Sequence, residues 1–312
     1  MERVYDMIVI GGGPAGYTAA LYAARAGMDV AVVERLSAGG QLALTGDVDN
    51  YPGFEEGVDG FTLGMKMQQG AERFGAETIY AEVTGVALSD AIKTVHTTDG
   101  SFCSKTVVLA MGANPRTLGI PNEEAYIGRG VHYCAHCDGR FYKEKTVVVV
   151  GGGNSAAADA LYLSRLVKRV YVVHRRDTLR ATKIYHDPLL QAENVEFVWN
   201  STVQSLCVDE RVNGVVVRDT HGVQRTIACD GVFVSIGREP ASAVVRDAVN
   251  IDEYGYIVAD ESTRTSEDGV YAVGDIRTKA LRQVVTAVAD GATAVHYAEE
   301  YLANQSQKSS LK

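Results

Sequence analysis

Met7-Ile-Val-Ile10-Gly11-Gly-Gly13-Pro14-Ala15-Gly16 is the stretch that decides the fold. A short apolar run leads directly into glycines, and Ala15 to Ala26 then has the spacing of a helix that ends near Gly27. Asp29 to Glu34 reads as the next strand. Strand, glycine turn, helix and strand form the context that a dinucleotide-binding fingerprint requires. Its glycines permit a tight turn, close approach of a pyrophosphate and close packing of helix on strand. The helix N-terminus offers free N–H groups and a positive dipole to the phosphates. Glu34, 23 residues after Gly11, is placed to accept hydrogen bonds from a ribose 2′-hydroxyl.

The same order recurs farther along. Thr146 to Val150 is a strand, Gly151-Gly-Gly153-Asn154-Ser155-Ala156 is a second fingerprint, Ser155 to Leu166 is helical, and Val170 to His174 is a strand. His174, 23 residues after Gly151, stands where Glu34 stands in the first unit, and Arg175, Arg176 and Arg180 follow it. A solvated basic turn is the plain alternative for such a run. At the end of a second strand, planar and permanently charged guanidiniums suit a 2′-phosphate, so this unit is expected to prefer NADPH to NADH. One glycine turn can join an ordinary strand and helix; two in matching context, each with its own ribose reader, indicate two dinucleotides.

The C-terminal third bears on how the units are connected. Gly269-Val-Tyr-Ala-Val273 reads as a strand running into Gly274-Asp275, and the apolar spacing from Arg282 to about Ala303 suits a helix. If this segment returns to the first unit, the second is an insertion, with crossings in the turn-rich stretches Gly112 to Pro121 and Gly237 to Ala243. The expected class is α/β: two Rossmann-like dinucleotide-binding domains, one spanning residues 1–114 and 244–312 and the other, residues 115–243, inserted into it. The polar tail from Asn304 to Lys312 is expected to fray.

Global properties agree. A chain of 312 residues is long for a single core. A net charge of -9 argues against non-specific nucleic-acid binding. No apolar run reaches transmembrane length, and no signal-peptide pattern precedes the strand at Met7, so a cytoplasmic, membrane-free protein is expected. Five cysteines, at 103, 134, 137, 207 and 229, are too few and too scattered for a disulfide scaffold.

Cys134-Ala-His-Cys137-Asp138 carries the chemistry. A Cys-x-x-Cys pair can open and re-form a disulfide by thiolate exchange. A zinc site with His132 or His136 is the alternative, although no second Cys-x-x-Cys or histidine pair follows. Asp138, beside Cys137, can supply protons to thiolates, or can be a turn residue before Gly139. Cys103, Cys207, Cys229 and Trp199 read as packing residues.

Over nearly its full length the chain resembles the low-molecular-weight, bacterial-type thioredoxin reductases. The resemblance rests on both fingerprints, Gly39-Gly40-Gln41-Leu42, Asn50-Tyr-Pro-Gly-Phe54, Cys134-Ala-His-Cys-Asp-Gly139, His174-Arg-Arg-Asp177, Gly274-Asp275 and Arg282-Gln283. It implies a homodimer that passes electrons from NADPH through FAD and the Cys134/Cys137 pair to oxidised thioredoxin. FAD would lie on Gly11, Gly13, Pro14, Ala15 and Gly16, with Glu34 on its ribose. Gly40, Gln41 and Asn50 would lie near the flavin, Gly112 at the crossing, Gly274 and Asp275 at the ribitol, and Arg282, Gln283 and Val284 at the isoalloxazine end. NADPH would lie on Gly151, Gly153, Asn154, Ser155 and Ala156, with His174, Arg175, Arg176 and Arg180 at the 2′-phosphate and Ile236 and Gly237 beside it. Cys137 would face the flavin, Cys134 would attack thioredoxin, and Asp138 would be the acid. The family also rotates the inserted domain, so that the disulfide and the nicotinamide reach the flavin in turn.

The chain departs from the family at Ala110-Met111-Gly112, Ala157-Ala158-Asp159, His132 and His136. These positions bear on potential, pH dependence and partner preference, not on class. A dithiol oxidase using oxygen, a ferredoxin-dependent reductase and a redox sensor without turnover are the rival readings. The intact second fingerprint weighs against the first two, and turnover with thioredoxin would exclude the third.

Overall fold

The computed structural model describes residues 3–310. The chain forms two compact units, one running to Asn114 and resuming at Glu239, the other spanning Pro115–Arg238.

The first unit opens with β1 (Val4–Ile10), α1 (Pro14–Arg25), β2 (Val30–Glu34), α2 (Gly60–Glu72) and β3 (Glu77–Tyr80). An antiparallel run follows: β4 (Val83–Ala87), β5 (Lys93–Thr97) and β6 (Gly100–Leu109). β1 lies parallel between β2 and β6, pairing Ile8 with Ala31 on one side and with Val107 on the other. Met7, Ile8 and Val9 are wholly buried because layers cover both faces of the sheet. A strand buried on two sides reads as a continuous apolar run, as this one does.

In the second unit, β7 (Val131–His132) precedes the one-turn helix α3 (Ala135–Asp138). Then come β8 (Thr146–Val150), α4 (Asn154–Ser164), β9 (Arg169–Val173), β10 (Val195–Val198) and β11 (Gly231–Val234). These strands form a parallel sheet in the order β7-β11-β8-β9-β10. An antiparallel meander, Ser201–Val208, Val212–Asp219 and Gln224–Ala228, is set between β10 and β11. The register of β7 on β11 sets His132 opposite Phe233.

The chain then re-enters the first unit, where β12 (Val270–Ala272) pairs parallel with β6 and α5 (Val284–Ser310) packs on α1. The two helices approach at Gly291, where any Cβ would strike the Ala15 carbonyl. The fold is thus α/β with two units, each built on a sheet of parallel core strands, as expected.

The tail differs from expectation. α5 continues to Ser310 because no glycine or proline occurs after Gly291 and Gln305, Gln307 and Lys308 are good helix formers. Residues 311–312 of the expected frayed tail lie outside the described residues. Among the described residues, no helix is long and apolar enough to cross a membrane.

Candidate active site

In the first unit the glycine turn is tightly built. Gly11 has φ +105°, and a Cβ there would lie 2.6 Å from the Ala110 carbonyl oxygen. Gly13 caps α1 with no side-chain bond, and Pro14 takes the first helical position, where a missing N–H costs nothing. A Cβ on Gly13 would meet nothing nearer than the Gly39 carbonyl at 3.9 Å. The space before the helix start is therefore open, and Ala15 and Gly16 sit in the uncapped first turn. Glu34 accepts from the Gly12 N–H at 2.7 Å and from the Leu36 N–H at 3.0 Å. An open glycine cradle, an uncapped helix start and a carboxylate at the end of β2 fit a dinucleotide with a free ribose hydroxyl.

Other predicted contacts of this unit are brought together in pairs. Gln41, in the turn Gly40–Leu44, donates to Asn114 at 2.9 Å. Asn50 donates to Gln283 at 3.0 Å. The Arg282 guanidinium lies 4.0 Å over the Tyr256 ring and donates to the carbonyls of Asp275 and Arg277. Val284 begins α5, and Gln283, just before it, donates its N–H to the Thr286 hydroxyl. The Gly112 carbonyl accepts from the Ala241 N–H.

What fixes Gly274 was not apparent from the sequence. Its N–H donates to Asp290 of α5, which also accepts two bonds from Arg277, at 2.9 and 2.8 Å, and one from Lys279 at 2.8 Å. All three side chains are buried. Burial pushes the Asp290 carboxyl up, but the hydrogen bonds from Arg277 and Lys279 outweigh it and hold the group below its ordinary value. Removing one partner of a buried pair strands the other charge. Asp290→Ala should therefore lower the unfolding free energy by about 3–5 kcal/mol, read from denaturant titration; an unchanged midpoint would contradict this. Because the folded carboxyl is depressed, its contribution is complete above the unfolded aspartate value and is lost as pH falls through the folded one. The stability gap between the parent chain and the variant should therefore close on acidification.

The second cradle has the same plan. Gly151 has φ +146°, and a Cβ would press on the Ser235 carbonyl. Gly153 caps α4 with no side-chain bond and nothing within 4 Å of a Cβ position. Asn154 turns outward to accept the Thr182 N–H at 2.8 Å, beside Ser155 and the buried Ala156. The backbone of Arg180 folds back onto the fingerprint, donating to the Gly152 carbonyl at 2.7 Å. The His174 ring fills the space where Gly152 lacks a side chain and packs edge-on to Trp199. Burial lowers the His174 pKa, and Arg180, Arg175 and Arg176 lower it further. The imidazole is thus neutral among three cations. Among the described residues no carboxylate pairs with Arg175, Arg176 or Arg180. Positive charge left unpaired beside an uncapped helix start fits an anionic nucleotide. Ile236 and Gly237 (φ +107°) close this unit's last turn, where Gly237 accepts from the Arg116 N–H.

Cys134 and Cys137 are joined in a disulfide, with Cα atoms 5.3 Å apart. The sulfur of Cys134 caps the one-turn helix, accepting the Cys137 N–H at 3.2 Å. Among the described residues no group of three or more His, Cys, Asp or Glu side chains is placed to hold a metal, and both flanking histidines have other partners. His136 lies on the Tyr162 ring at 4.1 Å. Both ring nitrogens of His132 are engaged, Nδ1 3.0 Å from Asp138 Oδ2 and Nε2 2.6 Å from the Tyr142 hydroxyl. Asp138, next to Cys137 in the sequence, is thus anchored by His132, a contact the sequence does not reveal. On α4, burial pushes the Asp159 carboxyl up, while the Ser235 hydroxyl donates to it at 2.6 Å.

Comparison with known proteins agrees with this geometry. A family described as pyridine nucleotide-disulphide oxidoreductase matches residues 5–291. A thioredoxin reductase of Treponema pallidum is 43% identical over 303 residues, covering 97% of this chain and 98% of the relative. One from Mycolicibacterium smegmatis is 44% identical over 306 residues, covering 97% and 98%. The solved thioredoxin reductase from Streptococcus pyogenes superposes with a TM-score of 0.91 at 43% identity, covering 97% of this chain and all of that one. The chain belongs to the pyridine nucleotide-disulphide oxidoreductases and, within them, to the thioredoxin reductase family.

Proposed function

We propose that the chain catalyses NADPH-dependent reduction of the disulfide of oxidised thioredoxin through the Cys134–Cys137 pair. The observation that carries this is a disulfide closed over two residues, next to a carboxyl, in the unit that holds the arginine-rich fingerprint. FAD in the first unit and NADPH in the second supply the hydride and electron chemistry.

The chain's own residues do the rest. Opening the Cys134–Cys137 bond takes two electrons and, to leave two thiols, two protons. Asp138 is the group assigned to move a proton at the cysteines. The Cys134 thiolate then attacks one sulfur of the partner disulfide. That bond breaks, a mixed disulfide forms, and the departing sulfur takes up a proton. Cys137 attacks Cys134 Sγ, re-forming the original bond and releasing the second partner sulfur, which is also protonated. Two electrons and two protons have moved from the pair to the partner.

The first unit is proposed to hold FAD through Gly11, Gly13, Glu34 and the Gly274–Arg282 segment, and the second NADPH through Gly151, Gly153, Arg175, Arg176 and Arg180. The crossings at Gly112 and Gly237 are the proposed hinge for alternating disulfide and nicotinamide at the flavin. A cytoplasmic homodimer is the proposed state. The test is turnover without oxygen: the purified yellow protein should consume one NADPH for every two thiols that appear on added thioredoxin. NADPH consumption with no new thiols would overturn the reading.

A further inference from the structure

We infer that His132 is a positioning residue for Asp138, holding carboxylate Oδ2 so that the proton exchanged with the cysteines is carried on Oδ1. The inference rests on the reading of Asp138 as the acid of the cysteine pair. It begins from three groups in line. Asp138 Oδ2 lies 3.0 Å from His132 Nδ1, and His132 Nε2 lies 2.6 Å from the Tyr142 hydroxyl. His132 is 6% exposed and Tyr142 3%.

The line has a direction. Burial, the largest influence, pushes the Tyr142 phenol up to about 12, so it remains an O–H across the working range. Its oxygen can donate that hydrogen to Nε2 of a neutral imidazole. An imidazole that accepts at Nε2 carries its own proton on Nδ1. That N–H points at Asp138. The carboxylate oxygen can only accept, so Asp138 calls for the Nδ1–H tautomer, the Tyr142 hydroxyl supports it by donating to Nε2, and the N–H in turn holds Oδ2.

The ring cannot rotate away. It stacks on Phe233 of β11, with centroids 5.2 Å apart and planes at 26°, and meets the Tyr142 ring edge-on at 5.2 Å. The pairing of His132 with Phe233 in adjacent parallel strands sets that stack. The Asp138 backbone is fixed separately, by its N–H to the Cys134 carbonyl at 3.1 Å. With backbone and Oδ2 both held, one oxygen remains to exchange a proton. A carboxyl restrained in this way serves the near-attack geometry that proton transfer needs.

The test uses the FAD-loaded protein. In protein labelled with 15N-histidine, the His132 resonance, assigned by its loss in His132→Phe, should report the Nδ1–H tautomer. In Tyr142→Phe that preference should weaken but persist, because Asp138 Oδ2 still accepts from Nδ1–H. His132→Phe, which keeps the ring stack, should lower kcat for thioredoxin at least about tenfold, with KM for thioredoxin and the rate of flavin bleaching by NADPH unchanged. His132→Asn, whose amide can again donate to Oδ2, should recover most of the loss. An Nε2–H tautomer in the parent protein, or full kcat in His132→Phe, overturns the inference. If His132→Phe does not fold, the tautomer of the parent protein, assigned with His132→Asn, decides it: Nδ1–H supports the inference and Nε2–H overturns it. Asp138→Asn separates the two levels: full turnover there defeats the acid reading itself, whereas impaired turnover beside a fully active His132→Phe defeats only the role of His132.

Discussion

Cys134→Ser is expected to abolish thioredoxin reduction while NADPH still bleaches the bound flavin. Cys134 is the sulfur assigned to attack the partner, and no other cysteine can take its place. Cys103 and Cys207 lie in strands at some distance along the chain, and Cys229 is buried, with desolvation pushing its thiol up to about 12. A thiol held protonated is neither a nucleophile nor a relay. Cys137→Ser should also stop turnover, but with a different outcome. It leaves Cys134 free to attack and nothing to resolve the product, so a stable mixed disulfide with thioredoxin should accumulate. Mass spectrometry of the adduct and stopped-flow absorbance check both claims. Turnover retained in either variant would remove the pair from the electron path.

The second large effect concerns coenzyme choice. Arg175 and Arg176 surround a neutral His174 and carry no ion pair among the described residues. Their charge is free for a phosphate dianion. Each charge-assisted hydrogen bond is worth about 1.5–3 kcal/mol, or roughly ten- to a hundredfold in affinity. Arg175→Ala with Arg176→Ala should therefore cut kcat/KM for NADPH by at least about a hundredfold. NADH has no 2′-phosphate, so its kcat/KM should change little. Initial rates with both coenzymes decide the matter. Equal losses for the two would mean that these arginines act on the fold and not on the phosphate.

These effects were legible in the sequence because their determinants are local. A glycine turn, the strand before it and the helix after it occupy one window, and the ribose reader stands at a fixed distance beyond. The Cys-x-x-Cys pair is likewise contiguous, and its disulfide closes within one helical turn. Asp290 was hidden for the opposite reason. It sits in an apolar helical run where one aspartate reads as a solvated interruption, and its partners Arg277 and Lys279 lie in an irregular segment that carries no periodicity. The available signal was two cations within four residues of Asp275, facing a long apolar helix. The anchoring role of His132 was not legible, although the residue stood out as a departure from the family pattern. Its partners are set by the register of a parallel strand and by a turn ten residues later, and neither can be read from a single sequence. The helical tail was missed because polarity was taken for fraying, although nothing in it breaks a helix.

The central claim is that electrons leave through the Cys134–Cys137 bond, and counting thiols without oxygen tests it most directly. The protein is reduced with excess NADPH, alkylated and mapped by mass spectrometry, and a second sample receives oxidised thioredoxin before alkylation. The account predicts new labels on Cys134 and Cys137 and no gain at Cys103, Cys207 or Cys229, with both labels lost once NADPH is exhausted by thioredoxin. Thioredoxin thiols appearing while the Cys134–Cys137 bond stays closed throughout would contradict it.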